Sequence, residues 1–270
     1  MGHAFAPRPA PRFAPSGEAG RGGCAGCRTP AAPVPPLSMA FQPILRCDAG
    51  GHGLFAYEAL VRGPGGEGAA SVLSQIHDGN RYAFDQACRV RAIELAARLG
   101  LLDGPALLSI NFLPNAVYEP RACIRTSLEA ARRVGLPHDR LVFEFTEHEA
   151  MLEPAHLLRI LAEYREVGFR TAIDDFGAGH SGLTLLAEFR PDVVKLDMAL
   201  LRGMDADPVR RTILRHIVAM CAELGCQVVA EGVETPGEFA ALRALGVTLF
   251  QGYLLGRPQF EALPSATCPG

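Results

Sequence analysis

The sequence predicts an α/β fold, a (β/α)8 TIM-like barrel, in a chain of 270 residues. Two observations carry this prediction. Eight short apolar runs alternate with longer helical stretches from residue 38 onward, which is the element order of such a barrel. Most of these runs are apolar almost throughout, as parallel strands buried on both faces are.

Eight apolar runs are predicted to form the strands. In chain order they span residues 39–45, 54–61, 106–112, 141–146, 170–175, 193–197, 227–233 and 248–254. No repeat of fixed period is evident between them, which argues against a solenoid.

The stretches between the runs have helical periodicity. In two of them one face is apolar, formed by Phe84, Cys88, Ala92, Leu95 and Leu99 and by Val209, Ile213, Ile217, Met220 and Leu224. Asp207 followed by Pro208 predicts a helix start, and Thr235 with Glu238 has the spacing of a capping box. Helix ends are predicted at the glycines 100, 135, 168, 225 and 246.

Composition limits the classes of function. Hydrophobic residues make up 49% and charged residues 20%, with a net charge of −3, so neither polymeric nucleic acid nor an anionic membrane is an expected partner. No apolar run reaches the roughly 18 residues of a membrane span. The N-terminus lacks the apolar segment of a secretory signal, so we expect a cytoplasmic protein.

The two ends of the chain differ from its middle. Residues 1–37 hold eight of the 21 prolines and few large apolar side chains, which predicts a disordered tail. Residues 38–262 are expected to form the domain, and residues 263–270 a short C-terminal tail.

The eight cysteines are expected to be reduced, because the chain is long and has no export signal. Cys88, Cys221 and Cys226 lie in helix-like or strand-edge patterns and are interpreted as small buried apolar residues. Cys24 and Cys27 form a CxxC spacing without two further ligands nearby. This favours an unstructured pair of thiols over a redox or intermolecular metal site.

Polar side chains occur at the end of almost every predicted strand. They are Gln42, Glu58, Arg62, Asn111, Glu144, Glu147, Asp174, Asp175, Lys195, Asp197, Glu231, Glu234 and Gln251. Barrel strands end at one face, so these side chains are expected to converge there. Five or more carboxylates would repel one another without cations, and hard oxygen ligands suit Mg²⁺ or Mn²⁺. The set predicts a metal site, whereas one member alone could be a structural ion pair or a loop cap.

Asp174 and Asp175 stand side by side at the end of the fifth run. In a regular strand they would point to opposite sides, but the turn of the backbone at a strand end lets both reach the rim. One carboxylate could then bridge two cations about 4 Å apart, the arrangement that clamps a phosphoryl displacement. A turn followed by a capped helix is the alternative.

Lys195 lies within an apolar run and needs a carboxylate partner or a lowered pKa. Near a metal site it could orient a water molecule or take its proton. The alternative is a salt bridge to Asp197 or Glu231, and both can hold in one site.

These motifs, in this order and spacing, resemble those of the EAL-domain family. They are Glu58-Ala-Leu-Val-Arg62, Asn111, Glu144-Phe-Thr-Glu147, Asp174-Asp-Phe-Gly-Ala-Gly179, Lys195-Leu-Asp197, Glu231-Gly-Val-Glu234 and Gln251-Gly-Tyr253. The resemblance runs from about residue 38 to residue 260. Family members are bacterial phosphodiesterases that open cyclic di-GMP to linear pGpG. The resemblance implies this activity here, on a modified TIM barrel whose first strand is antiparallel to the others.

The resemblance also implies a role for each matching residue. Two ions of Mg²⁺ or Mn²⁺ would be held by Glu58, Asn111, Glu144, Asp174 and Asp175. Three residues would be catalytic. Lys195 would lie at the nucleophilic water, Glu231 would lie beside the metal ions and that water, and Glu147 would hold the loop after the fifth strand. Contacts to substrate or water are expected from Gln42, Arg62, Asp197 and Gln251.

Departures from the family pattern are confined to one loop. His180 stands where the family often has Tyr, and Gly182 lies in a loop often written with two serines. The metal and lysine positions all match, which favours an active enzyme. Family members commonly dimerise, so we expect a homodimer whose interface is linked to metal occupancy through residues 176–181.

Three other functions remain alternatives. The barrel could bind cyclic di-GMP without turnover and signal to a sensor or regulatory partner that the sequence does not identify. It could be an enolase-like lyase, which also uses barrel-end carboxylates, Mg²⁺ and lysine. The N-terminal tail could instead make the protein an interaction scaffold.

Overall fold

The computed structural model describes residues 32–48, 51–117, 119–146, 154–179 and 182–269. Within these residues nine strands form one sheet. They are β1 (Ser38–Asp48), β2 (Gly51–Arg62), β3 (Leu107–Asn111), β4 (Leu141–Thr146), β5 (Arg170–Phe176), β6 (Val193–Leu196), β7 (Gln227–Ala230), β8 (Leu249–Phe250) and β9 (Gln259–Phe260). The eight predicted strands are confirmed, and β9 is an addition that the sequence did not predict.

Strand β1 closes the barrel. It pairs with β2 on one side and with β8 on the other, in both cases antiparallel, whereas the pairs from β2 to β8 are parallel. The expectation of a (β/α)8-type barrel with an antiparallel first strand is therefore confirmed. The register places Gln42 directly opposite Glu58 and Ser38 opposite Arg62.

Nine α-helices surround the barrel in the described part of the chain. They are α1 (Ala69–Leu73), α2 (Arg81–Arg98), α3 (Pro120–Cys123), α4 (Arg125–Val134), α5 (Pro154–Val167), α6 (Gly182–Glu188), α7 (Met198–Leu201), α8 (Pro208–Leu224) and α9 (Pro236–Ala244). Three short 3₁₀ turns lie at Leu101–Asp103, Pro114–Ala116 and His138–Arg140.

Local capping chemistry sets several of these boundaries. The Asp207 carboxylate accepts hydrogen bonds from the first amides of α8, and Thr235 forms the predicted capping box with Glu238 at the start of α9. Gly225 ends α8 with a φ of 72°, a left-handed conformation that costs glycine little.

The barrel interior contains one apolar layer to which each of the eight barrel strands contributes a residue. The layer consists of Ile44, Ala56, Leu107, Val142, Ala172, Val193, Val229 and Leu249. All eight are buried, so this part of the barrel is a packed core rather than a channel. A second and larger apolar cluster fills the space between the strands and the outer helices.

The two ends of the described chain both pack on the barrel. The Ala32 amide donates to the Gly79 carbonyl oxygen over 3.1 Å, and the Tyr57 hydroxyl donates to the Pro264 carbonyl oxygen over 2.8 Å. The CxxC cysteines and the rest of residues 1–31 lie outside the described part of the structure. The predicted domain boundaries stay predictions.

The expectation of reduced cysteines is wrong for one pair. Cys47 at the end of β1 and Cys268 are joined in a disulfide. A sequence separation of 221 residues hides this pairing, which arises because the C-terminal segment returns to β1. Cys88, Cys123, Cys221 and Cys226 are not part of a disulfide. Of the three cysteines predicted to be small buried apolar residues, Cys221 and Cys226 are buried and Cys88 is half-buried.

No helix in the described ranges is long and apolar enough to cross a membrane.

Candidate metal centre and active site

A polar layer lies directly above the apolar layer of the barrel. In the seven parallel strands, the residue two positions after each member of the apolar layer is polar, and in the antiparallel β1 it is the residue two positions before. These residues are Gln42, Glu58, Ser109, Glu144, Asp174, Lys195, Glu231 and Gln251. Alternate residues of a strand face the same side, so all eight project into the same end of the barrel.

Lys195 lies at the centre of this polar layer. Its Nζ is 2.7 Å from Glu144 Oε2, 2.7 Å from Glu231 Oε1, 3.0 Å from Asp174 Oδ1 and 3.4 Å from Glu58 Oε2. Only 1% of its side chain is exposed. The salt bridge to Glu231 offered as an alternative is present, together with three further carboxylates. One ammonium faces four carboxyl groups, so acidic groups are crowded around a single cation.

Two groups of three carboxylates could each hold a cation. Glu58, Glu144 and Asp174 form the first group, and Asp174, Asp175 and Glu231 form the second. Within each group the ligand atoms lie within 4.8 Å of one another, and Asp174 belongs to both. Carboxylate oxygens are the donors that hard divalent cations prefer, so the residues present could hold two such ions, with Asp174 available to both.

The adjacent aspartates reach the same site because β5 is irregular where they occur. The pairing of β5 with β6 shifts by one residue between Ile173 and Phe176, as in a β-bulge. Asp175 has a φ of 54°, in the left-handed region that aspartate tolerates better than most residues. The extra residue turns Asp175 toward the side occupied by Asp174, and the predicted convergence of the pair has this backbone origin.

Amide and hydroxyl groups orient the carboxylates. Glu58 accepts hydrogen bonds from Asn111 Nδ2 at 3.0 Å and from Gln251 Nε2 at 2.7 Å. Ser109 Oγ donates to Glu144 Oε1. Gln251 Oε1 is buried and has no hydrogen-bond partner among the described residues, so an acceptor remains available to a bound group.

The electrostatics of the site follow from burial and from charge crowding. Burial, reinforced by Glu58 and Asp174 and opposed by Lys195, raises the pKa of Glu144 to about 8. The same effects raise the pKa of Glu231 well above its usual value. Burial and the neighbouring Asp174 raise the pKa of Asp175 to about 6.

The pKa of Lys195 responds in the opposite direction. Burial lowers it, but the surrounding carboxylates outweigh burial and hold the pKa well above its usual value. Lys195 is therefore a fixed cation in the metal-free protein, and this charge state makes it a hydrogen-bond donor rather than a base.

A cleft of about 330 Å³ opens above the polar layer, within the size range of small-molecule sites. Its walls include eight of the thirteen polar residues predicted to converge there, namely Gln42, Glu58, Asp174, Asp175, Asp197, Glu231, Glu234 and Gln251. Asp197 also caps α7 by accepting from the Ala199 amide at 2.8 Å.

The remaining predicted residues lie elsewhere. Glu144 and Lys195 are buried beneath the cleft, and Asn111 is exposed at the end of β3. Arg62 is outside the cleft lining, and its guanidinium donates to its neighbour's carbonyl oxygen, Val61 O, at 2.8 Å. Glu147 lies outside the described residues.

Sequence reasoning missed several residues of the site. Ser109 contacts Glu144, and a signal for it was available, because it lies two positions before Asn111 on the same face of β3. Met198 and Tyr253 line the cleft and are half exposed. Tyr253 belongs to the Gln251-Gly-Tyr253 motif, in which the sequence predicts a role only for Gln251, and nothing in the pattern of apolar residues indicates Met198.

Comparison with known proteins agrees with this architecture. The family model described as EAL domain matches residues 35–258. The blue light- and temperature-regulated antirepressor BluF of Escherichia coli is 31% identical over 231 residues, which cover 86% of this chain and 56% of BluF. The cyclic di-GMP phosphodiesterase RocR of Pseudomonas aeruginosa is 34% identical over 164 residues, which cover 61% of this chain and 42% of RocR. The chain thus spans about half the length of these curated relatives.

Solved structures of other proteins resemble this chain in their fold as well as in their sequence. A standalone versatile EAL protein from Vibrio cholerae, in its c-di-GMP bound form, has 51% identity and a TM-score of 0.82, covering 87% of this chain and 97% of that one. Klebsiella pneumoniae BlrP1, in a manganese and cyclic diGMP complex, has 34% identity and a TM-score of 0.81, covering 87% and 59%. The match of the family model over most of the chain, together with these likenesses, shows that the protein belongs to the EAL domain family.

Proposed function

We propose that the protein hydrolyses cyclic di-GMP to linear pGpG with the help of two divalent cations. The observation that carries this proposal is the presence of two clusters of three carboxylate residues next to the buried Lys195. Asp174 belongs to both clusters. Phosphodiester hydrolysis is the chemistry for which two cations close together are most useful. Relatives named as cyclic di-GMP phosphodiesterases, and structures with cyclic di-GMP and manganese, support the same substrate and metal class.

Mg²⁺ or Mn²⁺ is the proposed cofactor. Glu58, Asn111, Glu144 and Asp174 would hold one ion, and Asp174 with Asp175 would hold the second. Bound there, the ions would supply Lewis-acid charge at the phosphate and lower the pKa of water.

The chain's own groups have separate tasks in the proposed reaction. Water forms a new bond to phosphorus while the bond from phosphorus to the 3′ oxygen breaks. Lys195, as a cation, donates hydrogen bonds that orient the water and offset the charge developing on the phosphate. Glu231, which is 2.7 Å from Lys195 Nζ, is the nearby carboxylate proposed to accept the proton of the water.

Four residues are proposed to contact the nucleotide. Gln42, Asp197 and Gln251 line the cleft. Arg62, the last residue of β2, is outside the cleft lining and would have to turn toward the substrate. Glu147 is proposed to hold the loop after β5.

A cytoplasmic homodimer is the proposed state of the protein. Support comes from the exposed apolar Leu183 of α6, 64% exposed, which follows the loop after β5 directly. We propose that metal occupancy at Asp175 and the dimer interface communicate through residues 176–181. A strictly monomeric species in light scattering, with specific activity independent of protein concentration, would contradict this.

A receptor that binds cyclic di-GMP without turnover is the second candidate. One observation favours it: the relative BluF is named an antirepressor rather than a phosphodiesterase. A relative of this chain is therefore named for a regulatory role and not for an enzymatic activity.

The test is hydrolysis of cyclic di-GMP by the purified full chain with Mg²⁺ or Mn²⁺, with pGpG separated chromatographically. Glu58→Gln and Lys195→Met are compared with Glu94→Gln, a matched change in the exposed Glu94–Arg133 pair of α2 and α4. We expect pGpG from the wild type and from Glu94→Gln only. Tight binding without pGpG under both metals would favour the receptor, and neither binding nor turnover would refute both functions.

A further inference from the structure

We propose that Cys47 and Cys268 form a reversible thiol–disulfide site that reacts with low-molecular-weight disulfides of the glutathione class. In its oxidised state the site fixes the C-terminal strap, defined here as residues 256–269, against β1. The strap in turn holds Gln42 at the cleft.

Contacts other than the disulfide also tie the segments that carry the two cysteines to the sheet. The Cys47 amide donates to the Thr248 carbonyl oxygen at 2.8 Å, and Cys47 is paired with His52 across the β1–β2 hairpin. The strap returns to β1 through the pairing of Phe260 with Ala40. The resulting Cα–Cα distance of 5.9 Å lies in the range that a disulfide bridges without backbone movement.

The two sulfurs differ in their access to small molecules. Cys47 is 1% exposed, whereas Cys268 is half-buried near the end of the described chain. The exposed His52 has a ring nitrogen within 4.8 Å of both sulfurs and can accept a thiol proton. Because both sulfurs are used in the disulfide, these three residues do not hold a metal in this state.

The proposed oxidation is two successive exchanges. The Cys268 thiolate attacks oxidised glutathione, forming a mixed disulfide and releasing one glutathione thiol. The Cys47 thiolate then attacks the Cys268 sulfur and releases the second glutathione. Two electrons and two protons pass from the cysteines to oxidised glutathione, which becomes two molecules of reduced glutathione.

The strap links this site to the cleft by direct contacts. Ala266, two residues before Cys268, packs beside Gly256: a Cβ built at Gly256 would lie 3.5 Å from the Ala266 Cβ and 2.7 Å from Pro43 Cγ. The Gly256 carbonyl oxygen accepts from Gln42 Nε2 at 3.1 Å. The disulfide at residue 268 therefore holds Ala266 against Gly256, whose carbonyl oxygen positions Gln42.

Gln42 passes the restraint to the polar layer. Its Oε1 accepts from Gln251 Nε2 at 3.2 Å, and the same nitrogen donates to Glu58 Oε2 at 2.7 Å. A loosened strap would thus free one amide that orients Gln251 and, through it, Glu58.

Reduction should loosen the strap without unfolding the barrel. The Pro264 carbonyl oxygen keeps its hydrogen bond from Tyr57, and Glu261 keeps its 2.7 Å ion pair with Arg91. The mobile part of the reduced state is therefore the segment beyond residue 264.

The first test uses the full chain equilibrated in glutathione buffers of graded ratio. Thiols are trapped by alkylation, and the peptides containing Cys47 and Cys268 are quantified by mass spectrometry. We expect both peptides to titrate together with one midpoint. Cys268→Ser should leave Cys47 alkylatable at every ratio, and Cys88→Ser should change nothing. Independent titration of the two peptides would overturn the proposal. So would a Cys47 that, in Cys268→Ser, becomes protected from alkylation at oxidising ratios as it does in the wild type.

The second test is amide hydrogen exchange of the wild type in oxidised and reduced buffer. Exchange of the segment beyond residue 264 should be faster on reduction, with no difference in Cys268→Ser between the two buffers. Equal exchange of the wild type in both buffers would overturn the coupling.

The effect on ligand binding rests on the proposed function. We expect cyclic di-GMP affinity to fall by about 2–10-fold in Cys268→Ser, the effect of losing one hydrogen bond. An unchanged affinity would overturn the link to Gln42. Absence of cyclic di-GMP binding in every form would refute the proposed function instead, and the redox titration and exchange results would stand separately.

Discussion

Replacing Glu144 by glutamine is expected to stabilise the metal-free protein, because the carboxylate is buried among other carboxylates. Glu144 is 1% exposed, and Glu58 and Asp174 are close enough to raise its pKa. Glutamine has nearly the same shape. Its amide oxygen can face Lys195, and its NH₂ group can donate to Ser109 Oγ.

The size and sign of the effect follow from the pKa of Glu144. Burial raises this pKa to about 8 from an ordinary 4.5, so the folded protein holds the proton more tightly than the unfolded chain does. Stability is then lost as the pH rises from the unfolded to the folded pKa. At about 1.4 kcal/mol per pH unit, the loss is about 2 kcal/mol at pH 6 and at most about 5 kcal/mol above pH 8. The advantage of the glutamine variant should grow by about 2–3 kcal/mol between pH 6 and pH 9.

Urea unfolding in EDTA at both pH values measures this difference. Saturating Mn²⁺ should reverse the order, because a bound ion would stabilise the folded wild type by mass action and the variant lacks one of the proposed ligands. Glu94→Gln, at an exposed site, controls for general effects of the substitution. A glutamine variant that is less stable than the wild type at pH 9 in EDTA, or an advantage that does not change with pH, would refute the reasoning.

Three other changes should have distinct effects. Lys195→Met leaves four carboxylates without a cation and should cost about 3–5 kcal/mol in EDTA, recovered largely by Mn²⁺ in the same urea titration. Asp85→Asn removes the counter-ion of the fully buried Arg89 guanidinium and should also cost about 3–5 kcal/mol. Asp78→Asn, in an exposed pair, should cost less than about 1 kcal/mol, and equal costs would contradict this. Gly252→Ala would put a Cβ 2.1 Å from the Val233 carbonyl oxygen at a φ of 156°, so the backbone there must shift and we expect a lower midpoint of thermal unfolding by circular dichroism.

The strands and their burial in the barrel could be predicted from sequence, because parallel strands that are covered on both faces are apolar along almost their whole length. The polar layer follows the same logic: each member lies two positions from an apolar residue of the same strand, as Glu144 does from Val142. Applied to every strand, this rule would also have identified Ser109.

Features that depend on local backbone or on distant pairing were not predictable in the same way. The bulge at Asp174 and Asp175 shifts the register by one residue, and alternation alone assigns them to opposite faces. The disulfide joins Cys47 to a residue 221 positions away, and its formation depends on the path of a segment with almost no regular structure. Composition and compartment arguments gave the wrong redox state for this pair.

The reversed direction of β1 has a consequence for how other parts of a longer protein could attach. Ser38 pairs with Arg62, the last residue of β2, so the chain enters the barrel at the face that carries the cleft. In a barrel with all strands parallel it would enter at the opposite end. The segment just before β1 runs along this entrance, where Asn80 Nδ2 donates to the Pro33 carbonyl oxygen at 3.3 Å. A module joined upstream of residue 38 would therefore sit beside the mouth of the cleft, and short-range motion of that module could open or cover it.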